Sequence, residues 1–316
     1  MLEKLRGYHD IIDNILEYRQ LTKLKSTYVE GFIGLIDNES RIHSVFHQTI
    51  TQTGRISSSE PNLQNIPVRQ EMGRELRKMF IANDGYTLID ADYSQIELRV
   101  LANISGDENM KNAFLNGEDI HRITASQVFR VPPELVTSEM RSKAKAVNFG
   151  IVYGISEFSL AGDIKVTRAR AKEYINNYFE TYSGIKEYLD DVVVKAKKDG
   201  YVTTMFNRRR YIPELSAQNH NIRSFGERVA MNTPIQGTAA DVLKIAMVNV
   251  DKEFKKRNLR SRIILQVHDE LIIESPVDEV ETAKEILKNE MESAGNFSVP
   301  LIVDIGTGSS WYDAKD

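Results

Sequence analysis

The first hydrophobic pattern along the chain predicts an amphipathic helix over residues 8 to 28, with Gly31 following where the pattern stops. The stretch from Glu118 to Gly200 is also predicted to be mostly helical, because apolar residues return three and four positions apart. The positions that carry these patterns are Ile11, Ile12, Ile15, Leu16 and Leu24 in the first stretch, and Tyr174, Ile175, Tyr178, Phe179, Tyr188, Leu189 and Val192 in the second.

Residues 37 to 70 show no such periodicity. They are rich in Ser, Asn, Gln and Pro, so we predict extended or looped backbone there. A short apolar strand, Tyr86–Asp92, follows, and Ser94 then begins a helix that should run to about Ile104. Glu97 stands three residues after Ser94, which is the spacing of a capping box.

Two hairpins are predicted in the second half of the chain. Tyr201–Phe206 and Arg210–Ile212 form the first, and two helices broken near Pro234 follow it. Ile263–Val267 and Leu271–Ile273 form the second, whose connection is acidic. The remaining predicted elements are a helix around Val280–Met291 and a strand near Leu301–Ile305.

Composition narrows the class of protein. The 316 residues are 41% hydrophobic and 27% charged, which suits a globular protein of two or three structural units. No apolar run is long enough to span a membrane, so we expect no membrane partner and a cytoplasmic location. Without cysteine, neither disulfides nor thiolate zinc sites are expected. The net charge of -4 argues against coating nucleic acid by bulk charge but allows a local basic groove.

Two carboxylates stand where strands end. Asp92 ends the predicted strand and Asp269 lies at the tip of the second hairpin, so pairing of these strands would bring them together. Mg²⁺ is held by such oxygen ligands, and two ions roughly 4 Å apart suit phosphoryl transfer. A lone Asp at a loop more often only caps a turn. Asp90 and Glu270 are rival ligands, and Asp90 shares strand parity with Asp92, so the pattern leaves the choice open.

A stripe of cations and aromatics follows one predicted helix, Glu139 to Tyr153. Arg141, Lys145, Phe149 and Tyr153 recur every four residues and therefore share a face. The cations could hold a triphosphate while the aromatic rings stack on bases. The alternative is a solvated cationic face that runs into a core face.

Two further polar groups could contact nucleic acid. Arg228, Asn232 and Gln236 repeat the four-residue spacing and could reach minor-groove acceptors, which every base pair presents. They could equally be polar residues at a helix kink. The cations at 208–210 could contact phosphate or remain solvated. No P-loop and no strand-associated G-x-G-x-x-G occurs, so ATPase and dehydrogenase functions lose support.

In this order, the motifs resemble those of the bacterial family A (polymerase I-like) DNA polymerases. Residues 92–99, DYSQIELR, resemble motif A; residues 141–154, RSKAKAVNFGIVYG, resemble motif B; and residues 266–271, QVHDEL, resemble motif C. Residues 53–58 and 61–67 also match, so the likeness covers essentially the whole chain.

The resemblance implies roles that the pattern alone leaves open. It selects Asp92 and Asp269, assisted by the Tyr93 carbonyl, as ligands of two Mg²⁺ ions, for which Mn²⁺ can substitute. It makes Glu97 the gate that excludes a ribose 2′-hydroxyl. The residues implied in catalysis are Asp92, Asp269, Lys145 and Glu270; those implied in nucleotide binding are Arg141, Lys145, Phe149, His121, Gln95, Glu97 and Tyr153; those implied in DNA binding are Arg55, Arg228, Asn232, Gln236, His268 and Tyr153.

The resemblance also implies an α+β right-hand fold, with an antiparallel palm sheet, inserted helical fingers and a partial helical thumb. The expected division is a thumb remnant at 1–36, palm at 37–102 and 226–316, and fingers at 103–225. We expect a monomeric DNA-templated DNA polymerase whose partners are primer-template DNA and dNTP. Because the family has a longer thumb and nuclease-type domains ahead of this region, we expect low processivity and no proofreading. One alternative is a fragment that binds primer-template with little turnover; another is a single-subunit RNA polymerase, which shares the two-metal logic but is disfavoured by Glu97.

Overall fold

The computed structural model describes residues 2–67 and 71–315, and its central feature is an antiparallel sheet. Within these residues the sheet has four strands in the order β6-β7-β3-β8, while β1 pairs with β2 and β4 with β5 in separate hairpins. The strands are β1 Val45–His47, β2 Ser57–Ser59, β3 Tyr86–Tyr93, β4 Tyr201–Thr203, β5 Arg209–Tyr211, β6 Arg262–Val267, β7 Glu270–Pro276 and β8 Val303–Gly308. The two predicted hairpins and the strand before Ser94 are therefore confirmed.

Helices flank this sheet and connect its strands, and several begin at a side-chain cap. Asp107, Asp119, Thr137, Ser156 and Thr167 each accept a hydrogen bond from a backbone N–H of the helix that follows. The helices are α1 Ile11–Leu24, α2 Gly31–Ile33, α3 Glu71–Glu75, α4 Ile96–Ser105, α5 Glu108–Leu115, α6 Ile120–Phe129, α7 Ser138–Val152, α8 Glu157–Asp163, α9 Arg168–Thr181, α10 Ser183–Asp199, α11 His220–Lys256, α12 Val280–Glu292 and α13 Trp311–Lys315.

The two faces of β3 enter different cores. Ile89 and Ala91 are fully buried in the larger core, which they share with side chains of α4, α11 and α12. Leu88 lies in a smaller core with Trp311 of α13 and Phe32 of α2. Asp90 and Asp92, which share strand parity with Leu88, lie on the same side of the sheet as α13. The sheet therefore carries its acidic residues on the face that the short C-terminal helix covers.

Two predicted helix boundaries are wrong. The N-terminal helix does not end at Gly31, because α1 continues through a π-helical segment, Lys25–Glu30, into α2. The helix break near Pro234 is absent, since this proline lies inside the 37-residue α11. A proline removes one backbone hydrogen bond, but Pro234 and Ile235 are both buried, and packing keeps the helix continuous. The predicted domain boundary at 225/226 consequently falls inside α11.

The predicted capping box is also wrong. Helix α4 begins one residue later than a cap at Ser94 requires, after Gln95 in the left-handed region at φ 54°, and no side chain caps it. The Ser94 N–H instead donates to the Ile302 carbonyl on the neighbouring chain segment. Glu97 turns toward Arg55 and Tyr153. Tertiary partners have therefore displaced the local capping contact. The ranges 2–67 and 71–315 contain no helix that is both long and apolar enough to cross a membrane.

Candidate active site

The predicted carboxylates meet at one edge of the central sheet. In the β3–β7 register Asp92 lies opposite Glu270, and the Tyr93 N–H donates to the Asp269 carbonyl at 3.2 Å. The turn between β6 and β7 is tight enough to place His268 at φ 50°. Asp92, His268, Asp269 and Glu270 all line one cavity of about 360 Å³. The sequence prediction that strand pairing joins Asp92 to the acidic hairpin tip is confirmed.

A lysine near the C-terminus neutralises part of this acidic edge. The Lys315 ammonium lies 2.8 Å from Asp92 Oδ2 and 3.4 Å from Asp90 Oδ1, and it also pairs with Glu270. Arg77 adds a second cation, 3.7 Å from Glu270 Oε1. Asp90 and Glu270 are both buried, whereas Asp92 is half-exposed toward the cavity. Asp90 and Glu270 therefore lie deeper in the fold, whereas the side chains of Asp92 and Asp269 are more exposed toward the cavity.

The charge of the site favours binding of a cation. Burial raises the pKa of Asp269 to about 7; Arg55 opposes this rise, and the charge of Glu97 adds to it. Burial and repulsion from Glu270 likewise raise the pKa of Asp90 to about 7. A divalent cation would relieve this repulsion. In the described part of the chain no group of three or more His, Asp or Glu side chains is placed to hold a metal ion. Asp92, Asp269 and the Tyr93 carbonyl are oxygen donors, which suit a hard ion that takes its other ligands from water and phosphate.

Glu97 is held at the centre of a small network beside these carboxylates. Arg55 donates to Glu97 Oε1 at 2.8 Å, and the Tyr153 hydroxyl donates to Oε2 at 3.1 Å. Arg55 also lies 3.8 Å from Asp269 Oδ1. Burial and the nearby Glu97 carboxylate raise the pKa of Tyr153 to about 12, so its hydroxyl remains a donor at neutral pH. The network joins the loop before β2, helix α4 and the end of α7.

Helices α6 and α7 present the predicted nucleotide contacts together. Arg141 donates to Asp119 Oδ2 at 2.6 Å, and Asp119 is also the cap of α6. The His121 ring packs against Phe149 with a centroid distance of 5.9 Å. Lys145 is exposed on the same α7 face. Asp119 links Arg141 to His121, because its other oxygen accepts the His121 backbone N–H. Burial and the charges of Lys145 and Arg141 lower the pKa of His121 to about 4.

The polar stripe on α11 lies next to the end of α7. Arg228 is exposed, and a Cβ on Gly154, which has φ 63°, would lie 3.0 Å from its side chain. Asn232 and Gln236 follow on the same face, and the Asn232 amide nitrogen is buried without a hydrogen-bond partner. Gln95 Oε1 is likewise buried and unpartnered. Such orphaned polar atoms are uncommon and suit groups that pair only with a ligand or water.

The cations at 208–210 have structural partners. Arg208 forms an ion pair with the buried Asp241 at 2.6 Å, and Arg210 donates to Thr233 Oγ1 at 2.9 Å. Arg209 stacks over the Tyr201 ring at 4.3 Å. Arg208 and Arg210 therefore join the β4–β5 hairpin to α11, while Arg209 packs within the hairpin.

Sequence reasoning missed three residues of the site: Asp119, Arg77 and Lys315. Asp119 had a local signal, since an Asp before a helical stretch is a preferred cap. Arg77 and Lys315 had none, because each meets the carboxylates only through tertiary contacts, with Lys315 lying 223 residues from Asp92.

Comparisons with known proteins show which family the chain resembles. The model of DNA polymerase family A matches residues 1–313. DNA polymerase I of Caldicellulosiruptor bescii is 54% identical over 316 residues, which are 100% of this chain and 37% of that protein. DNA polymerase I of Bacillus subtilis is 53% identical over 317 residues, again 100% of this chain and 36% of that protein. The chain thus spans little more than a third of the length of these curated relatives.

A solved structure shows the same fold. The POL domain of Pol1 from M. smegmatis, in complex with DNA primer-template and dNTP, has a TM-score of 0.96 and 45% sequence identity, covering 100% of this chain and 56% of that one. This confirms the mixed helix and antiparallel-sheet polymerase fold. From the match over nearly its full length and the identity to these relatives, the chain belongs to DNA polymerase family A.

Proposed function

We propose that this chain catalyses DNA-templated DNA synthesis by transferring dNTPs to a primer 3′-hydroxyl. The observation that carries the proposal is the meeting of Asp92 and Asp269 at one sheet edge. Arg55 lies 3.8 Å from Asp269 and donates to Glu97, which also accepts from Tyr153 at the end of α7. The curated relatives are named DNA polymerase I, and the solved relative holds primer-template and dNTP. A protein with this arrangement can place a nucleotide triphosphate against a primer end.

The metal-binding residues would be Asp92, Asp269 and the Tyr93 carbonyl. Family A DNA polymerases generally use divalent metal ions. We propose two Mg²⁺ ions, replaceable by Mn²⁺, which when bound would lower the pKa of the primer hydroxyl and neutralise charge on the reacting phosphate. Glu270 would act with Lys315 to keep Asp92 in place, because the carboxylates of Glu270 and Asp92 both pair with the Lys315 ammonium.

The triphosphate would lie against α6 and α7. Arg141 and Lys145 supply positive charge, and His121 supplies one imidazole hydrogen bond; the charge on the departing pyrophosphate would be stabilised by Lys145. Arg141 is already oriented by Asp119, so little side-chain freedom is lost when it binds phosphate. Phe149 would pack on the nucleotide, and Gln95 would use its unpartnered Oε1 there.

Discrimination against ribonucleotides and binding of the primer-template would depend on the residues around Glu97 and on α11. Glu97, fixed by Arg55 and Tyr153, would leave no room for a ribose 2′-hydroxyl. Tyr153 at the end of α7 would help position the template. Arg228, Asn232 and Gln236 on α11, with Arg55 and His268, would follow the primer-template minor groove, where contacts read duplex shape without selecting sequence. All these groups come from one copy of the chain, so a monomer suffices.

The test is extension of a primed DNA template by the purified chain at high enzyme concentration, with Mg²⁺ added or withheld. Asp269→Ala should abolish extension, while Asp251→Ala, which removes an exposed carboxylate of α11, should not change it. Extension that survives Asp269→Ala would reject the proposed metal site. Tight primer-template binding without extension by the unaltered chain would reject polymerase activity and leave a DNA-binding fragment.

A further inference from the structure

The imidazole of His121 is held by a buried amide. Asn148 Nδ2 lies 3.0 Å from His121 Nδ1, and it also donates to Thr124 Oγ1 at 3.1 Å. The Thr124 hydroxyl lies 3.2 Å from both Asn148 Oδ1 and the Tyr182 hydroxyl. Asn148 and Thr124 are 0% exposed and His121 is 3% exposed, so water does not compete for these bonds.

This arrangement determines which ring nitrogen carries the proton. A neutral imidazole has one N–H and one lone pair, and the partner of one nitrogen selects the state of the other. With the Asn148 amide nitrogen toward the ring, Nδ1 accepts and Nε2 carries the hydrogen. The imidazole is neutral at physiological pH, because burial lowers the pKa of His121 to about 4.

The second nitrogen, Nε2, is left for another partner. In the described part of the chain no hydrogen bond is found for His121 Nε2, which leaves its donor for a ligand. Lys145 lies one turn before Asn148 on α7, and both Lys145 and Arg141 are close enough to lower the pKa of the ring. Phe149 packs against the imidazole with an interplanar angle of 45°, which restricts rotation of the ring.

We propose that Asn148 is a positioning residue, which fixes His121 as the Nε2–H tautomer and directs that N–H to a phosphate oxygen of the incoming nucleotide. The phosphate contact rests on the function proposed above, whereas the tautomer does not. The opposite orientation of the Asn148 amide would present Oδ1 to the ring and require the Nδ1–H tautomer, so the two arrangements are distinguishable by experiment.

The first test is the nitrogen-15 NMR spectrum of labelled histidine in the intact chain above pH 6.5. The chain has six histidines, and His121→Gln identifies the signal by its loss. We expect Nδ1 unprotonated and Nε2 protonated in the unaltered protein. In Asn148→Asp the isosteric carboxylate can only accept; because imidazole is the stronger base, the proton should move to Nδ1. A matched control is Asn177→Asp, at another buried fingers asparagine whose amide donates to the Val128 carbonyl.

Kinetics then test the consequence for the nucleotide. Asn148→Asp should lower kcat/KM for dNTP roughly tenfold or more, because Nε2 no longer carries a hydrogen to donate. Its affinity for primer-template should not change. Asn177→Asp should keep the kcat/KM of the unaltered protein. An Nδ1–H tautomer in the unaltered chain overturns the proposal without any variant, as does an unchanged tautomer in Asn148→Asp. The expected tautomer shift with unchanged dNTP kinetics overturns the phosphate contact. An unaltered chain that extends no primer rejects the proposed function but leaves the tautomer result standing.

Discussion

The Tyr153 hydroxyl donates a hydrogen bond to the Glu97 carboxylate, with 3.1 Å between Oη and Oε2. Tyr153 ends the helix of the proposed nucleotide contacts, whereas Glu97 belongs to the helix that follows Asp92. Arg55 reaches the other oxygen of the same carboxylate at 2.8 Å. Glu97 therefore depends on two distant segments for its position, and any selection by this residue depends on them as well.

Replacing Arg55 should weaken the discrimination between deoxyribonucleotides and ribonucleotides. Arg55→Met leaves the nearly buried Glu97 with only the Tyr153 hydroxyl, so we expect the free energy of unfolding to fall by ~1–3 kcal/mol. Incorporation of ribonucleotides relative to deoxyribonucleotides should rise, because the carboxylate is no longer held in one place. Urea unfolding and single-nucleotide insertion measure the two effects.

A matched control separates stability from selection. Arg41 pairs with the buried Glu274 at 3.0 Å, outside the site, so Arg41→Met removes a comparable ion pair. It should lower stability while leaving the ribonucleotide ratio unchanged. An equal rise of that ratio in both variants would mean that general loosening, and not the position of Glu97, controls selection.

Removing the Lys315 charge should make the protein more dependent on metal ions. Lys315→Met leaves Asp90, Asp92 and Glu270 close together without their shared cation. We expect a lower Tm without divalent ions and a larger rise of Tm on adding Mg²⁺ than in the unaltered protein, because binding to the folded state alone stabilises it. Thermal unfolding with EDTA or with Mg²⁺ measures both.

The control for this change is Lys255→Met, which removes an exposed lysine paired with Asp251 along α11. An exposed pair of this kind contributes roughly 0.3–0.5 kcal/mol, so Tm should hardly move. A Lys315→Met protein as stable as this control, both with and without Mg²⁺, would show that the ammonium does not compensate the acidic edge.

The residues just discussed mark the limit of prediction from sequence. Local pattern placed Asp92 and Asp269 at the ends of predicted strands, but that these strands pair was an assumption, which the β3–β7 register bears out. The Glu97 capping box failed because a charged partner 42 residues away outcompetes a local backbone N–H. Lys315 had no signal in the sequence, because its contact with Asp92 joins residues 223 positions apart. Pro234 was misjudged because burial on both sides of α11 offsets one missing hydrogen bond.

The buried neutral histidine predicts a pH dependence of stability. The pKa of His121 is lowered to about 4 from its ordinary 6.5, so between these values the unfolded chain binds a proton that the folded chain does not. The free energy of unfolding should therefore be unaffected by protonation of His121 above pH 6.5 and should fall as the pH drops toward 4, by at most about 3 kcal/mol from this residue. Urea unfolding at several pH values between 4 and 7 measures it.

The difference between variants isolates this term from other titrating groups. His121→Gln should show a shallower fall of unfolding free energy over that window, whereas His9→Gln, at an exposed histidine, should follow the unaltered protein. Parallel pH curves for the unaltered protein and His121→Gln would mean that the imidazole is protonated equally in both states.

The glycines of β8 should be required to seat the C-terminal helix. A Cβ on Gly308 would lie 2.5 Å from the Ala314 backbone nitrogen, so Gly308→Ala must push α13 away from the sheet. We expect the free energy of unfolding to fall by ~1–3 kcal/mol. Trp311 is the single tryptophan of the chain, packed against Phe80 and 1% exposed, so its fluorescence reports the movement directly.

The same movement should reach the acidic edge, because Trp311 and Lys315 share the helix. Gly308→Ala should therefore red-shift the tryptophan emission and reproduce the enhanced Mg²⁺ stabilisation of Lys315→Met. Gly162→Ala is the control, since a Cβ there meets nothing within 4 Å and alanine favours the helix. Its emission should be unchanged and its stability equal or slightly higher. A red shift without enhanced Mg²⁺ stabilisation would show that Lys315 keeps its contacts when the helix moves, and would separate the packing of α13 from the charge of the site.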